Sequence, residues 1–268
     1  VAVIGAGPAG MEAAVTLKQR GFDVVVFDKR DEIGGNLHVA KKPPFKGKFE
    51  WAIDYYKSMA KKLNITMKLG KEVTAQEVLA LKPYSILVAT GSNVISIPLE
   101  GLDQVQTVQA HDVLANDMQF ANKKVVVIGG GITGLETALY INRQGTNQVS
   151  VVDMLPEWPV DMLDMRYQNE ALLEVRHCND QGVALFYNNK VVKFADGKLF
   201  IESTKDGEVK ELPADVIVLS VGVKPNDALW QELLASGHPS VWKAGDAIAT
   251  GKINKAVLHG SKFGYSLN

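Results

Sequence analysis

The sequence predicts an α/β chain of two doubly wound, parallel-sheet units, the second inserted into the first. Three observations carry that expectation. An apolar strand running into a glycine turn and a helix occurs twice, as Val1-Ala2-Val3-Ile4-Gly5-Ala6-Gly7-Pro8-Ala9-Gly10 and as Val125-Val126-Val127-Ile128-Gly129-Gly130-Gly131-Ile132-Thr133-Gly134. The second strand of each repeat closes on an acid: Asp28 stands 18 residues after Gly10, and Asp153 stands 19 after Gly134. Finally, residues 227–268 hold little more than one short strand and one helix, too little for a core of their own. A lone G-x-G-x-x-G is weak, but two of them, each with its strand, helix and acid in place, meet several independent requirements together. The expected architecture is therefore two Rossmann-like dinucleotide-binding domains. One spans 1–107 and returns at 227–268; the other spans 108–226 and is inserted between those parts.

The glycines have separate duties. Gly5 and Gly129 allow the chain to reverse tightly at the end of a strand. Gly7 and Gly131 leave room for a pyrophosphate to reach backbone N–H groups at the helix N-terminus, where unpaired donors and the helix dipole favour an anion. Gly10 and Gly134 let the helix lie close against the strand. Neither loop ends in the lysine–serine pair of a phosphate-transfer loop, which excludes a P-loop ATPase.

The remaining elements follow in order. In the first unit, residues 1–4 and 23–27 read as strands and 11–20 as helix, before an irregular polar stretch, 28–48, with Gly34-Gly35-Asn36 and Pro43-Pro44. Residues 50–63 are amphipathic, with Trp51, Tyr55 and Met59 at helical spacing as the expected packing face. A strand at 66–69, a helix at 75–81 and a strand at 85–89 lead to Thr90-Gly91-Ser92 and an extended linker at 97–101. The second unit opens near Asn122. After Asp153 it loosens over 154–164, continues as a helix over 165–180, and then forms hairpins turning at Ala195-Asp196-Gly197 and Asp206-Gly207. An apolar strand at 216–221, a short strand at 240–243 and a helix at 253–265 complete the chain.

Composition narrows the function classes. A hydrophobic fraction of 46% and a charged fraction of 22% suit a globular protein with a sizeable core. A net charge of −1 and the lack of a basic run with interleaved aromatics argue against nucleic acid. Apolar runs such as 86–90 and 216–221 are strand-length, so no membrane span is expected. Cys178 is the single cysteine, which excludes a disulfide framework, a C-x-x-C redox pair and a cysteine-ligated metal site within this chain, and points to a cytoplasmic setting. The chain opens inside a strand without methionine and closes inside a helix, and is expected to be part of a longer polypeptide.

Several motifs together resemble the two-dinucleotide-binding flavoproteins of the glutathione-reductase-like superfamily. They are Gly5-Ala6-Gly7-Pro8-Ala9-Gly10, Glu32-Ile33-Gly34-Gly35-Asn36, Ala89-Thr90-Gly91, Gly129-Gly130-Gly131-Ile132-Thr133-Gly134-Leu135-Glu136, Gly222-Val223-Lys224-Pro225-Asn226 and Ala244-Gly245-Asp246. Residues 32–41 followed by 49–59 are most similar to the C-terminal portion of old-yellow-enzyme-like NADH:flavin oxidoreductases, the group of 2,4-dienoyl-CoA reductase and trimethylamine dehydrogenase. The resemblance implies FAD in the first site and a nicotinamide dinucleotide in the second; the Asp153 carboxylate, which accepts a 2′-hydroxyl but repels a 2′-phosphate, favours NADH over NADPH there. It implies cofactor-binding roles for Gly5, Gly7, Pro8, Ala9, Gly10, Asp28, Lys29, Gly35, Asn36, Val73, Ala89, Thr90, Gly91, Gly245 and Asp246 around the first. Gly129, Gly131, Ile132, Thr133, Gly134 and Asp153 serve the second, with Gly222 completing the set. In that scheme Asp28 holds the adenosine ribose of FAD, the Val73 backbone meets the adenine, and Asp246 bonds the ribityl or pyrophosphate side.

The same resemblance implies an FMN-bearing barrel with an iron–sulfur cluster, N-terminal to Val1 in the same polypeptide, to take the electrons. Substrate chemistry would lie there, so no catalytic acid or base and no metal ligand is assigned to this chain. The competing reading is a non-catalytic ADP- or dinucleotide-binding module. His38, His111, His177, His238 and His259 lack metal-ligand spacing, although His38 falls close to Gly35. Cys178 reads as a bystander, and Trp158, Trp230 and Trp242 as packing residues, Trp158 being placed to border the second cofactor. Arg143 is the one cation near enough in sequence to offset Asp153.

Overall fold

The computed structural model describes residues 1–156 and 165–268. The chain divides into two compact units, one of Val1–Lys41, Gly47–Asn93 and Val223–Asn268, the other of Lys42–Lys46 and Val94–Gly222. In chain order the first part holds β1 (Ala2–Ile4), α1 (Pro8–Gln19), β2 (Val25–Phe27), α2 (Leu37–Ala40), α3 (Glu50–Lys62), β3 (Thr66–Lys68), α4 (Ala75–Ala80), β4 (Ile86–Val88) and β5 (Ser92–Val94). Next come β6 (Gln106–Gln109), α5 (Ala110–Ala115), β7 (Lys124–Ile128), α6 (Ile132–Asn142), β8 (Gln148–Val152), α7 (Met165–Asp180) and β9 (Ala184–Phe186). The chain continues through β10 (Asn189–Ala195), β11 (Lys198–Ser203), β12 (Val209–Pro213) and β13 (Val216–Leu219). It closes with β14 (Val223–Pro225), α8 (Ala228–Ala235), β15 (Val241–Lys243) and α9 (Ile253–Ser266).

Each unit is organised around a parallel sheet of the same plan. The first runs β15-β4-β1-β2-β3 and the second β6-β13-β7-β8-β9, so the glycine-loop strands β1 and β7 take the central place in both. Side-chain alternation splits each sheet into two layers. In the first unit Val3, Val26 and Leu87 pack beneath α1 and α9, while Ala2, Ile4, Ile86 and Val88 face Val78 of α4 and Leu233 of α8. In the second, Val125, Val127, Val149 and Val151 pack under α5, α6 and α7. Their alternates Val126, Ile128 and Val152 meet Phe194, Leu199 and Ile201 of the antiparallel β10-β11-β12 sheet. With both faces covered, the central strands are continuously apolar, as their sequences require. The β10–β11 turn has Asp196 and Gly197 both at positive φ, 51° and 72°, the geometry of a two-residue hairpin turn.

Two sequence expectations are corrected. Helices α1 and α6 begin at Pro8 and Ile132, inside the glycine motifs rather than beyond them. On α3 the packing face is Ile53, Tyr56 and Ala60, with Met59 packed against the same core as expected, whereas Trp51 and Tyr55 are 67% and 49% exposed. Both series have helical spacing; the Tyr56 hydroxyl donates to Glu12 on α1, and Trp51 lies on the surface under the Lys48 ammonium.

Candidate functional site

The two glycine loops have the same local geometry, built by the same contacts. A Cβ on Gly5 would stand 2.2 Å from the Ala89 carbonyl oxygen, and one on Gly129 would stand 2.2 Å from that of Ser220. A Cβ on Gly10 would meet the Gly5 oxygen at 1.8 Å, and one on Gly134 the Gly129 oxygen at 1.9 Å. These four glycines are dictated by backbone packing alone. Gly7 and Gly131 differ: nothing lies nearer than 3.9 Å to a Cβ at Gly7, and nothing within 4 Å of one at Gly131. Both are helix N-caps with extended backbone and no side-chain cap, so no capping side chain takes up the first N–H groups of α6 or those of α1, which begin at Ala9 because Pro8 has none. That combination fits a dinucleotide pyrophosphate, which needs backbone donors and no Cβ in the way.

The two acids also repeat. Asp28 Oδ2 accepts the Ala6 N–H at 2.6 Å and its Oδ1 accepts the Arg30 N–H at 2.8 Å. Asp153 Oδ2 accepts the Gly130 N–H at 2.5 Å and its Oδ1 the Leu155 N–H at 2.8 Å. Each carboxylate thereby fixes the middle of its loop, and each oxygen keeps a second lone pair for a hydroxyl. Local spacing does not reveal this clamp, because its donors are backbone groups.

Around the first loop, Gly34 and Gly35 have φ of 127° and 53°, and a Cβ on Gly35 would stand 2.8 Å from the Gly7 Cα. The turn is fixed by the Gly34 N–H to the Ala6 carbonyl at 2.9 Å and by His38, whose Nε2 lies 2.8 Å from the Ile33 carbonyl. His38 thus braces the turn. Asn36 is exposed and accepts a 3.4 Å bond from the Arg30 guanidinium. Thr90 donates its hydroxyl to the Asn226 carbonyl at 2.6 Å, beside Ala89 and Gly91. Asp246 accepts from the Gly251 N–H at 3.0 Å and from the Ser92 hydroxyl at 3.3 Å. Burial pushes its carboxyl above the usual carboxylate range, against those hydrogen bonds and the nearby His259 ring. Lys29 is exposed, Val73 is half-buried just ahead of α4, and Gly245 packs against Ala9.

In the second unit, Ile132 and Thr133 open α6 and Gly222 has a φ of 101°. Ser220-Val221-Gly222 follows β13 as Ala89-Thr90-Gly91 follows β4, an equivalence that appears only once the sheets are compared. Arg143 is removed from the site. It caps the far end of α6, which at 1.5 Å per residue over 11 residues carries it roughly 16 Å from the loop. There its guanidinium lies 4.5 Å from the Phe45 ring centre and bonds Gln181 at 3.2 Å. Trp158 lies outside the described residues.

The segment 42–46 brings charge that the sequence reading missed. The Lys46 ammonium pairs with buried Glu136 on α6 and with Glu170 on α7 at 2.6 Å. Burial pushes the Glu136 carboxyl up despite that pairing; the two glutamates outweigh the burial of Lys46 and hold its ammonium above the usual lysine range. No local pattern links positions this far apart in sequence. Cys178 is buried in the core, where burial and the charge of Glu174 push its thiol up to about 12, so it is an inert thiol. Among the described residues no group of histidine, cysteine and acidic side chains is arranged for a metal, and no helix is long and apolar enough to cross a membrane.

Comparison with known proteins agrees with this geometry. The profile of the pyridine nucleotide-disulphide oxidoreductases matches residues 1–259. The chain belongs to that family. Its members are oxidoreductases that bind FAD and NAD(P)H. A NADH oxidase of Thermoanaerobacter brockii is 32% identical over 275 residues, covering 100% of this chain and 41% of the relative. A bilirubin reductase of Mediterraneibacter gnavus is 35% identical over 226 residues, 84% of this chain and 34% of its own length. Among solved structures, 2-naphthoyl-CoA reductase superposes with a TM-score of 0.89 at 29% identity, covering 99% of this chain and 39% of its own. Histamine dehydrogenase from Rhizobium sp. 4-9 shares the fold with a TM-score of 0.87 at 23% identity over 100% of this chain and 43% of its own. The resemblance to old-yellow-enzyme-like flavoproteins is borne out. The chain therefore spans well under half the length of these relatives. Despite the family's name, a single buried cysteine leaves no redox pair in this chain.

Proposed function

We propose that the first unit holds FAD, the second holds NADH, and the chain moves reducing equivalents from one to the other and on to an acceptor elsewhere in the polypeptide. The observation that carries this is the pair of equivalent loops, each open at its second glycine and fixed by an acid. When bound, the two cofactors supply the redox chemistry, hydride transfer from nicotinamide to flavin. The chain's own residues bind and orient. The α1 and α6 N-termini offer N–H donors to the two pyrophosphates, Asp28 and Asp153 offer lone pairs to adenosine riboses, and Asp246 with Thr90-Gly91 lines the flavin side of the first site. An FMN-bearing, iron–sulfur-containing barrel in the remaining polypeptide is the partner we favour, because the larger flavoproteins this chain matches are more than twice its length. A cytoplasmic setting suits a chain with a single, unpaired cysteine.

The purified protein is expected to be yellow or to become so with FAD, and NADH should bleach it anaerobically until an artificial acceptor restores the colour. A protein that stays colourless after incubation with FAD overturns the reading in favour of an ADP-binding module. Thiol–disulfide reductase activity from this chain alone would contradict it as well.

The preference for NADH rests on Asp153, whose carboxylate accepts a 2′-hydroxyl but repels a 2′-phosphate. Arg143, held by Phe45 and Gln181 at the far end of α6, does not offset that repulsion. Asp153→Ser is expected to raise the NADPH-to-NADH ratio of kcat/KM by about tenfold, the equivalent of ~1.4 kcal/mol. A wild-type kcat/KM higher for NADPH would defeat the assignment.

A further inference from the structure

His259 occupies a place in the first unit that the binding scheme above leaves unused. Helices α1 and α9 lie side by side and run the same way. A Cβ on Gly260 would stand 2.2 Å from the Ala9 carbonyl oxygen, one on Gly264 would stand 2.6 Å from the Thr16 side chain, and Arg20 donates to the Gly264 and Leu267 carbonyls at 2.5 and 2.7 Å. This register sets His259 level with Ala9, in the first turn of α1, while the first turn of α9 projects past the α1 N-terminus. Ala256, one turn earlier on α9, touches the position of Gly245, next to Asp246. The register thus places His259 at the level of the pyrophosphate cradle along α1, and its ring lies within electrostatic reach of Asp246.

The ring has one closed edge. Its Nδ1 is buried with no hydrogen-bond partner, although the residue as a whole is only half-buried. A sealed, unpartnered ring nitrogen is least costly as the lone-pair nitrogen, which leaves the proton on Nε2, at the open edge. A donor at that level of α1 matches an anion held by the helix N-terminus, and a hydrogen bond to a charged acceptor is among the stronger kinds.

We infer that His259 is a positioning residue for FAD, its Nε2–H donating to a pyrophosphate oxygen and adding a side-chain contact to the backbone donors of α1. This rests on the assignment of FAD to the first unit.

The test measures dissociation constants of FAD, by quenching of its fluorescence on uptake, and of ADP, by competition. The full chain is used in wild-type, His259→Leu and His259→Gln forms. His259→Leu is expected to weaken both ligands about tenfold, because both carry the pyrophosphate, and His259→Gln, whose amide N–H reaches as far as Nε2, should recover most of that loss. Equal affinities for wild type and leucine variant overturn the inference, as does a loss confined to FAD, which would move the contact to the flavin end. Glutamine failing where the variant still folds by circular dichroism also counts against it. A wild-type protein that binds neither ligand defeats the assignment of FAD itself, a result distinct from all of these.

Discussion

Replacing Gly131 by valine is expected to leave a folded, yellow protein that NADH no longer bleaches. The backbone there is extended, with φ −67° and ψ 172°, which valine adopts without strain, and nothing lies within 4 Å of the new Cβ. The methyl groups would instead stand over the α6 N-terminus, where the pyrophosphate must approach the N–H groups. Losing two charge-assisted hydrogen bonds at about 1.5–3 kcal/mol each predicts a loss of at least about a hundredfold in NADH affinity. Dithionite should still bleach the flavin, which separates lost NADH binding from a damaged flavin site. Gly7→Val is the mirror case, since its Cβ meets only the Gly35 Cα, at 3.9 Å. That variant is expected to be colourless yet still to bind NADH, measured by nucleotide fluorescence. Bleaching of Gly131→Val at the wild-type rate would show that the second dinucleotide binds elsewhere.

The parts of this fold legible in the sequence are those whose physics is local. A buried parallel strand must be continuously apolar, a reversal beside a neighbouring carbonyl must be glycine, and a two-residue hairpin needs positive φ. Hence β1, β7, β13 and the Asp196–Gly197 turn stand out by eye. The capping box of α4, Thr74 and Glu77 with each side chain meeting the other's backbone N–H, emerges only in the structure. The rest of what escaped is tertiary. Two helical stripes compete on α3, and only Glu12, on another helix, decides that Tyr56 turns inward. Arg143 is close to Asp153 in sequence but lies at the opposite end of a helix. Segment 42–46 reads as a polar loop, yet Lys46 is bound to carboxylates on α6 and α7, a pairing encoded only in the folded topology.

The glycines of one motif are expected to fail in different ways, and Gly10→Ala should damage the fold rather than the binding. The added Cβ would stand 1.8 Å from the Gly5 carbonyl oxygen, 3.0 Å from its carbon and 3.2 Å from Val3 Cγ1. The two nearest of these atoms are backbone, so no rotamer change relieves the contact. Either α1 withdraws from β1 or the Gly5 turn opens. Withdrawal of α1 separates Ala13, Ala14 and Leu17 from Val3 and Val26, all buried members of one core, and also strains the α1–α9 contact at Gly260. Ordinary overpacking costs about 1–3 kcal/mol where side chains can shift; here the opposing atoms are main chain, so the cost belongs at or above the top of that range. Taking about 2–4 °C per kcal/mol for a chain of this size, calorimetry should find the melting transition of the first unit lowered by roughly 10 °C. Gly47→Ala is the control, because that glycine has no positive φ and nothing within 4 Å of its Cβ, and its melting temperature should match the wild type. Gly134→Ala repeats the experiment in the second unit, where the Cβ would lie 1.9 Å from the Gly129 oxygen. If Gly10→Ala melts with the wild type while losing FAD, the glycine serves the ligand rather than the helix–strand contact, and the division of labour within the motif drawn here is wrong.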